Sequence, residues 1–375
     1  MRALQRAAGN AAVVGMLHGP ARTAVAGHEH AQHSLVHDVL RTDSAGPVAV
    51  VQRAPRPQAL DDPIQGFVTE MIAEADKMIA KTKSLGWRVW SKPARQKHCD
   101  DLGTVIDQAE HMIYPQLHNV AATPADERRE VDLKALLDQI QNRHLSYVDI
   151  LRIYDLRPVA PDIDAADSKA LESLSRTWSR ITSGQGVSIS GKPRAFGDDR
   201  DPAELAGFTT QILSAHARLL SRQRGRALVT DLASRPGSPA VGVVPYHPGQ
   251  VEFMGGNTDV GAEAIADSAN ALAQNEDTAG SGSTSTVAVP YGFKDSEGAK
   301  LGEPVTPAFL VYGHELVHAQ HNMHGINVRT VDDEELATVS GTAKSDALHA
   351  KIGLPRTTED MLRDEHNLPR RGGYT

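Results

Sequence analysis

The segment VYGHELVHAQHNMHG, residues 311–325, constrains the fold more than any other stretch of the chain. His314 and His318 are four residues apart, and this spacing places both imidazoles on one face of an α-helix. Thr306 is expected to cap that helix, with Pro307 at its first position. The sequence therefore predicts a helix in which one face carries two potential metal ligands.

The two histidines and Glu315 form an HExxH motif, which indicates a zinc site. Both imidazoles can converge on one ion, while Glu315 is offset by one residue and can take a proton from a water on the metal. Zinc lowers the pKa of such a water toward about 7, so hydroxide is available at neutral pH. The alternative is a histidine-rich surface helix that matches the HExxH motif by chance. The hydrophobic neighbours of the motif and the expected helix cap argue against this alternative.

A catalytic zinc site needs a third protein ligand, and two histidines further along the helix are candidates. His321 lies on the same face as His318, but a full turn further on. His324 has the spacing of the HExxHxxGxxH motif, in which a glycine turns the chain, but here His321 replaces that glycine. Both are expected to be solvated residues at the helix end or residues that support the site from outside.

A carboxylate from the segment DDEELATVSG, residues 332–341, is the third candidate. A second helix that carries a carboxylate after HExxH is the gluzincin arrangement. Glu335 is the expected ligand and Glu334 the alternate, because adjacent side chains on a helix point about 100° apart. Asp332 followed by Glu335 also matches a capping box, which needs no metal.

The composition excludes several classes of function. A formal net charge of −8 argues against a nucleic-acid-binding surface as the main activity. The single cysteine, Cys99, rules out a disulfide framework and a cysteine-ligated zinc site within one chain. No apolar run approaches about eighteen residues, so no membrane span is expected.

The pattern along the chain predicts an α+β fold in three parts. Residues 1–60 are expected to be a flexible leader, and residues 61–185 show helical periodicity. From residue 186 the pattern predicts short strands, then one helix with Asp201 as its N-cap, Pro202 in its first turn and Gly225 past its end, and then the HExxH helix. Residues 186–375 are therefore expected to form the catalytic domain, with strands that precede a site-bearing helix.

The leader has two interpretations. The start MRALQRAAGNAAVVGML loosely imitates a secretory signal, but Gly9 and Asn10 interrupt the apolar run. The segment LQRAAGNAAV at 4–13, with VVQRAP at 50–55, resembles the leaders of proteins associated with extracellular contractile injection systems. That resemblance implies a cargo that is loaded into a particle and delivered without a classical signal peptide.

Three further blocks resemble one family of enzymes. They are HELVHA at 314–319, EELATVSG at 334–341 and TTEDMLRDEHNLPRRGGY at 357–374. Together they resemble the NleD-like zinc-metalloprotease effectors and, more distantly, clostridial neurotoxin light chains. The resemblance covers roughly residues 186–375 and implies a zincin-like (gluzincin) domain. One departure is Ser340, which stands where the light chains have a glycine.

The resemblance also implies roles for individual residues. It assigns His314, His318 and Glu335 to zinc and Glu315 to the general base. It places Arg371 and Tyr374 at an Arg-x-x-Tyr element, where a permanent charge and a phenol could stabilise an oxyanion.

Glu359 follows Thr358 in the tail, and its role is left open by the sequence. It could orient His314 by accepting the free ring N–H, as carboxylates near metal sites do. It could equally be an ordinary acidic residue in the first turn of a helix.

These observations predict a zinc-dependent endopeptidase of the effector or toxin type, injected or secreted, that cleaves a target-cell protein. One alternative is a zinc hydrolase that acts on a non-peptide amide. Another is a non-catalytic cargo or particle-associated protein with a zincin fold, although the intact Glu315 speaks against it. Residues 61–185 could recognise the substrate, cover the site or serve packing alone.

Overall fold

The computed structural model describes eight ranges of the chain, which are 63–118, 124–189, 202–234, 240–246, 262–275, 277–296, 306–328 and 330–371. The predicted leader at 1–60 and Tyr374 lie outside these ranges. No helix within them is long and apolar enough to cross a membrane.

Helices dominate the described residues. They are α1 (Pro63–Thr82), α2 (Lys92–Ile113), α3 (Pro124–Tyr154), α4 (Ser168–Thr182), α5 (Pro202–Leu220), α6 (Gln223–Ser234), α7 (Ala308–His324), α8 (Val331–Val339), α9 (Ala343–Ile352) and α10 (Glu359–Glu365). The helical pattern predicted between residues 61 and 185 is confirmed by α1 to α4. Polar residues begin several of these helices; the Asp167 side chain, for example, accepts a hydrogen bond from the Ala170 amide and starts α4.

A small mixed sheet accompanies the helices. Its strands are β1 (Val187–Ile189), β2 (Val241–Tyr246), β3 (Glu263–Ala266) and β4 (Ser285–Pro290), in the order β1-β2-β4-β3. β1, β2 and β4 are parallel, whereas β3 runs antiparallel to β4 at the edge. The α+β expectation is confirmed, and β3 is the strand that the sequence pattern did not reveal.

The helix expected to begin at Pro202 does begin there, but its expected end just before Gly225 is wrong, because the chain breaks between α5 and α6. At the end of α5 the Ser221 hydroxyl donates to the Arg218 carbonyl at 2.7 Å, which closes the last turn. Gly225, expected past the helix end, lies instead in the first turn of α6. A Cβ atom at Gly225 would overlap the Leu219 carbonyl, so glycine permits the tight corner between the two helices.

One cluster of buried apolar residues extends from Val68 in α1 to Leu368 after α10. It therefore includes residues on both sides of the domain boundary expected at residue 185. Burial of this continuous apolar surface is the main force that holds the helical region against the sheet and α7. The boundary itself stays a prediction.

A buried ionic cluster also joins α2 of the helical region to α5 and to Asp295. The Arg218 guanidinium donates to Asp295 at 2.7 Å and to Glu110 of α2 at 2.5 Å. All three side chains are at most 4% exposed. The pKa of Glu110 is raised to about 7, because burial outweighs the favourable charge of Arg218.

Asp295 also supplies the cap of α7. Its second carboxylate oxygen accepts the Ala308 amide at 2.9 Å, where a negative charge favours the helix N-terminus. The expected cap by Thr306 is wrong: Pro307 occupies the N-cap position, and the Thr306 hydroxyl accepts a hydrogen bond from Arg363 instead. A residue distant in sequence thus holds the beginning of the HExxH helix.

Replacing Arg218 by methionine should lower the free energy of unfolding by about 3–5 kcal/mol, because Glu110 and Asp295 would remain buried without their cation. Urea unfolding followed by circular dichroism measures this change. The matched control is Arg176→Met, which removes an exposed ion pair with Glu172 and should cost about 1 kcal/mol or less. Equal losses in the two variants would contradict the structural role of the buried cluster.

Candidate metal centre

The two histidines of the HExxH motif face each other in the middle of α7. Their Nε2 atoms are 3.0 Å apart, and both side chains are largely buried. Nearly every residue of this helix is buried, including both histidines and Glu315. The i, i+4 spacing has thus produced the convergence that the sequence predicted.

Glu335 of α8 completes the cluster. One of its carboxylate oxygens lies 3.3 Å from His314 Nε2 and the other lies 3.2 Å from His318 Nε2. One ligand atom from each of the three residues falls within 4.8 Å of the others. These three side chains could therefore hold one metal ion.

Gly325 makes this approach of α8 possible. It ends α7 in the left-handed conformation, with φ of 68°, and its amide bonds back to the last turn. α8 then begins six residues later, at Val331, and the hydroxyl of its N-cap residue Thr330 accepts the Asp333 amide at 3.2 Å. The capping box of Asp332 and Glu335 is therefore wrong, because Thr330 and Asp333 form the N-terminal cap.

The histidines at 321 and 324 do not join the cluster. His324 Nε2 lies 2.9 Å from a carboxylate oxygen of Asp231 on α6, away from the two imidazoles. His321 is only 1% exposed, so it is not a solvated residue of the helix end. Its Nδ1 lies 2.7 Å from Glu334 instead.

Glu334 touches His318 from the side opposite to Glu335. Its Oε1 atom lies 3.2 Å from His318 Nδ1, and its Oε2 atom accepts the Val328 amide at 2.8 Å. The expectation that only one of the two adjacent glutamates can face the site is thus incomplete. An imidazole presents two nitrogens on opposite edges, so two carboxylates about 100° apart can each reach one.

The surroundings of Glu334 stabilise its ionised form. Burial alone would raise its pKa, but the charge of His321 and hydrogen bonds from His318 and His321 outweigh it and lower the pKa to about 2. His349 of α9 extends the chain of contacts, with its Nε2 atom 3.3 Å from His321 Nε2. His349 could not be identified from the sequence, because it is distant along the chain and belongs to no motif.

Glu359 contacts the Nδ1 atom of His314, as Glu334 contacts the Nδ1 atom of His318. It is fully buried at the start of α10, and its Oε2 atom lies 2.8 Å from His314 Nδ1. Thr358 caps the same helix, so both roles considered for Glu359 are present at once. Arg363 donates to Glu359 at 2.6 Å, which keeps the carboxylate charged in the apolar interior.

These carboxylates determine the tautomers of both histidines. Each one accepts a hydrogen bond from Nδ1–H, so in the neutral imidazole Nε2 keeps its lone pair, and this nitrogen points toward Glu335. A neutral imidazole in this tautomer is the form that binds a metal ion. The donor chemistry of the cluster therefore fits a metal such as zinc.

Of the two residues of the Arg-x-x-Tyr element, Arg371 is the one that the structure describes. Its guanidinium lies 3.5 Å from Glu359, and its amide donates to Asp360 at 3.1 Å. It therefore lies beside the carboxylate that orients His314. Tyr374 lies outside the described residues, so its role stays a prediction.

Glu315 is buried next to the cluster, with 7% of its surface exposed. Burial raises its pKa to about 7, with further upward contributions from Glu335 and Glu263 that outweigh the lowering effect of the two histidines. A carboxylate with such a pKa exchanges protons readily near neutral pH.

Comparison with known proteins identifies one family. Residues 198–374 match the model of the Peptidase M91 family, which is described as "Effector protein". No curated protein and no solved structure matches the chain. The match confirms the resemblance to NleD-like effector peptidases over residues 198–374, a stretch that contains the whole cluster.

Replacing Glu334 by glutamine should weaken metal binding about 10- to 100-fold, because a neutral amide would replace the charged acceptor that fixes the tautomer of His318. Competition with a chromogenic chelator measures the dissociation constant for Zn²⁺. His324→Ala is the matched control, since His324 faces Asp231, and its affinity should stay near that of the unmodified protein. A result in which only the His324 variant loses metal would refute the assigned geometry.

Metal affinity should also rise with pH between about 6.5 and 9. Burial lowers the pKa of His314, but hydrogen bonds to Glu335 and Glu359 raise it from 6.5 to about 9. In the metal-free protein this proton stabilises the fold fully below about 6.5, and that contribution is lost as the pH rises toward 9.

Because the metal must displace the His314 proton, the apparent affinity should increase about tenfold per pH unit for each proton displaced. The same chelator competition at pH 6.5, 7.5 and 8.5 measures the slope. A flat profile across this window would show that His314 is already neutral in the metal-free protein.

Proposed function

We propose that this protein is a zinc-dependent endopeptidase of the effector type, which hydrolyses a peptide bond in a protein of a target cell. The convergence of Glu335 with His314 and His318, beside Glu315, is the observation that carries this proposal. The Peptidase M91 match supports a peptidase and an effector, and it makes a protein substrate the expected one.

Two imidazole nitrogens and one carboxylate oxygen form a donor set typical of catalytic zinc, which leaves a further position open. We assign the metal to His314, His318 and Glu335. A zinc ion held there would supply a Lewis acid that lowers the pKa of water and polarises a carbonyl.

The protein's own residues perform the remaining steps. Glu315 takes the proton of the attacking water at its carboxylate and can return it to the leaving amine, for which a pKa near 7 is suited. Glu334 and Glu359 hold the imidazole rings in place. Arg371, with Tyr374, is proposed to stabilise the charge that develops on the carbonyl oxygen of the substrate.

Two further parts of the proposal concern fold and delivery. The small sheet followed by α7 and α8 supports a zincin-like (gluzincin) arrangement. The effector family suggests delivery into host cells. Loading into a contractile injection particle rests only on the leader motifs at 4–13 and 50–55, which lie outside the described residues.

Replacing Glu315 by glutamine should lower proteolytic turnover about 10²- to 10⁴-fold while zinc stays bound, because glutamine cannot accept a proton. Cleavage of a peptide library, read by mass spectrometry, measures activity, and metal analysis of the same samples measures zinc. Glu335→Ala is the complementary variant and should lose zinc together with activity. Loss of zinc in Glu315→Gln would show that the roles of base and ligand are assigned wrongly.

A further inference from the structure

The first three helices form a bundle whose two ends differ in chemistry. α1, α2 and α3 all pack against one another. The ring of Trp87, in the connection between α1 and α2, lies 5.5 Å from the ring of Tyr154, the last residue of α3. The end of α3 therefore meets this connection at one end of the bundle. We call residues 81–97 together with 153–155 the basic tip.

The basic tip concentrates positive charge, although the whole chain has a formal net charge of −8. Residues 81–97 contain lysine and arginine but no acidic residue. Lys92 is paired with Asp155, and Lys97 is paired with Asp101. Among the described residues no carboxylate pairs with the remaining cations of the tip, which are Lys81, Lys83, Arg88 and Arg95. The tip therefore carries a positive charge that the protein itself does not neutralise.

Apolar side chains protrude from the same tip. Val89 is 84% exposed and Ile153 is 68% exposed, the highest values among the large hydrophobic residues that the structure describes. Trp90, next to Val89, is half-buried. Contact of such aliphatic side chains with water is unfavourable, and removal of their surface from water is a source of binding energy. The tip thus offers apolar surface beside cations that have no acidic partner.

The parts of the chain that the structure does not describe join this bundle at its other end. The leader connects to α1 at Pro63, and α1 has 20 residues, so its two ends are about 30 Å apart. Residues 119–123 connect to α3 at Pro124, which is 30 residues before Tyr154. The chain through the tip itself is described without a gap from residue 63 to residue 118.

An anionic bilayer satisfies both chemical features of the tip. Its headgroups attract lysine and arginine, and the boundary between headgroups and acyl chains accepts apolar side chains. The indole of Trp90 is apolar with one N–H group, so it suits the level of the headgroups between these two layers.

A nucleic acid is the other polyanion to consider, and the aromatic rings of the tip argue against it. Proteins that bind single strands stack the bases on open aromatic faces. Trp87 is only 1% exposed. Lys81 Nζ lies 4.8 Å from the centre of the Trp90 ring, and the Arg95 guanidinium lies 5.0 Å from the centre of the Tyr154 ring. These rings are already covered by the protein's own cations.

We propose that the basic tip binds the surface of a bilayer that contains anionic phospholipids. Lys81, Lys83 and Arg88 lie among the headgroups, and Val89 and Ile153 enter the boundary below them. This inference goes beyond the proposed peptidase activity and uses none of the residues of the candidate metal centre. It gives the helical region at 61–185 a function of its own, which is to hold the protein at a membrane.

Vesicle flotation with the full-length protein tests the proposal. Vesicles of phosphatidylcholine that contain about 30% phosphatidylserine should carry the protein upward in a density gradient, because the anionic lipid attracts the tip. Vesicles of phosphatidylcholine alone should not. Raising the NaCl concentration from about 0.1 M to about 0.5 M should weaken binding, because the charges are screened. Equal binding to both kinds of vesicle, or binding to neither, would overturn the proposal.

Two single variants separate the charge from the apolar contact. Arg88→Gln should weaken binding about fivefold, the contribution of one cation close to an anionic surface. Val89→Ser should weaken it about tenfold, because the apolar surface of valine is lost. Arg88→Lys and Val89→Ile should bind like the unmodified protein. If Arg88→Gln loses binding while Val89→Ser keeps it, the tip recognises a polyanion without a bilayer, and the proposal is rejected.

A matched pair of double variants locates the surface. Arg88→Gln combined with Val89→Ser should weaken vesicle binding about 50-fold if the two effects add. Val131→Ser combined with Lys134→Gln removes one exposed valine and one positive charge from the opposite part of α3, and this control should bind normally. Equal losses in both double variants would show that the tip is not the binding surface. Cleavage of a soluble peptide should be the same in both, so the peptidase activity and the membrane contact can fail independently.

Discussion

The hydrogen bonds that the Nδ1–H groups of His314 and His318 donate to two buried carboxylates are the interactions on which the rest of the site depends. Glu359 and Glu334 come from different helices, and each fixes one ring and its tautomer. Because both carboxylates are buried, the helices that carry them must pack closely on α7. The requirements of two imidazole rings thus determine where α8 and α10 lie.

The ionic cluster of Arg218, Glu110 and Asp295 provides the second constraint, at the start of α7. Through Asp295 it caps the HExxH helix, and through Glu110 it reaches α2 in the helical region. A role for that region follows from the contact alone: it contributes to the position of α7. This contact explains why the helices of residues 61–185 pack against the rest of the protein, without a role for them in substrate recognition.

The sequence predicted those parts of the site that depend on local geometry. The i, i+4 histidines and a carboxylate from the next helix come together, since helical spacing and a short connection are readable from the chain. The second contact of His318, with Glu334, was not predicted. The 100° angle between adjacent side chains was taken to exclude one glutamate, but an imidazole ring has a nitrogen on each of two edges and can contact both. The cap by Asp295 and the contact with His349 depend on long-range packing, which one sequence does not reveal. The strand β3 is short and rich in alanine, so its pattern resembles a loop.

The carboxylates around His314 and His318 have a consequence for the order of folding and metal uptake. Small zinc-binding domains cannot fold without their ion, because nothing else compensates their ligands. Here the acidic groups that would stabilise a bound cation can stabilise protonated imidazole in its absence, as the raised pKa of His314 shows. The chain can therefore complete its fold with a proton at this position and exchange it for a metal afterwards. Under the proposed function, such a protein would be stored or transported without metal and become active where zinc is available.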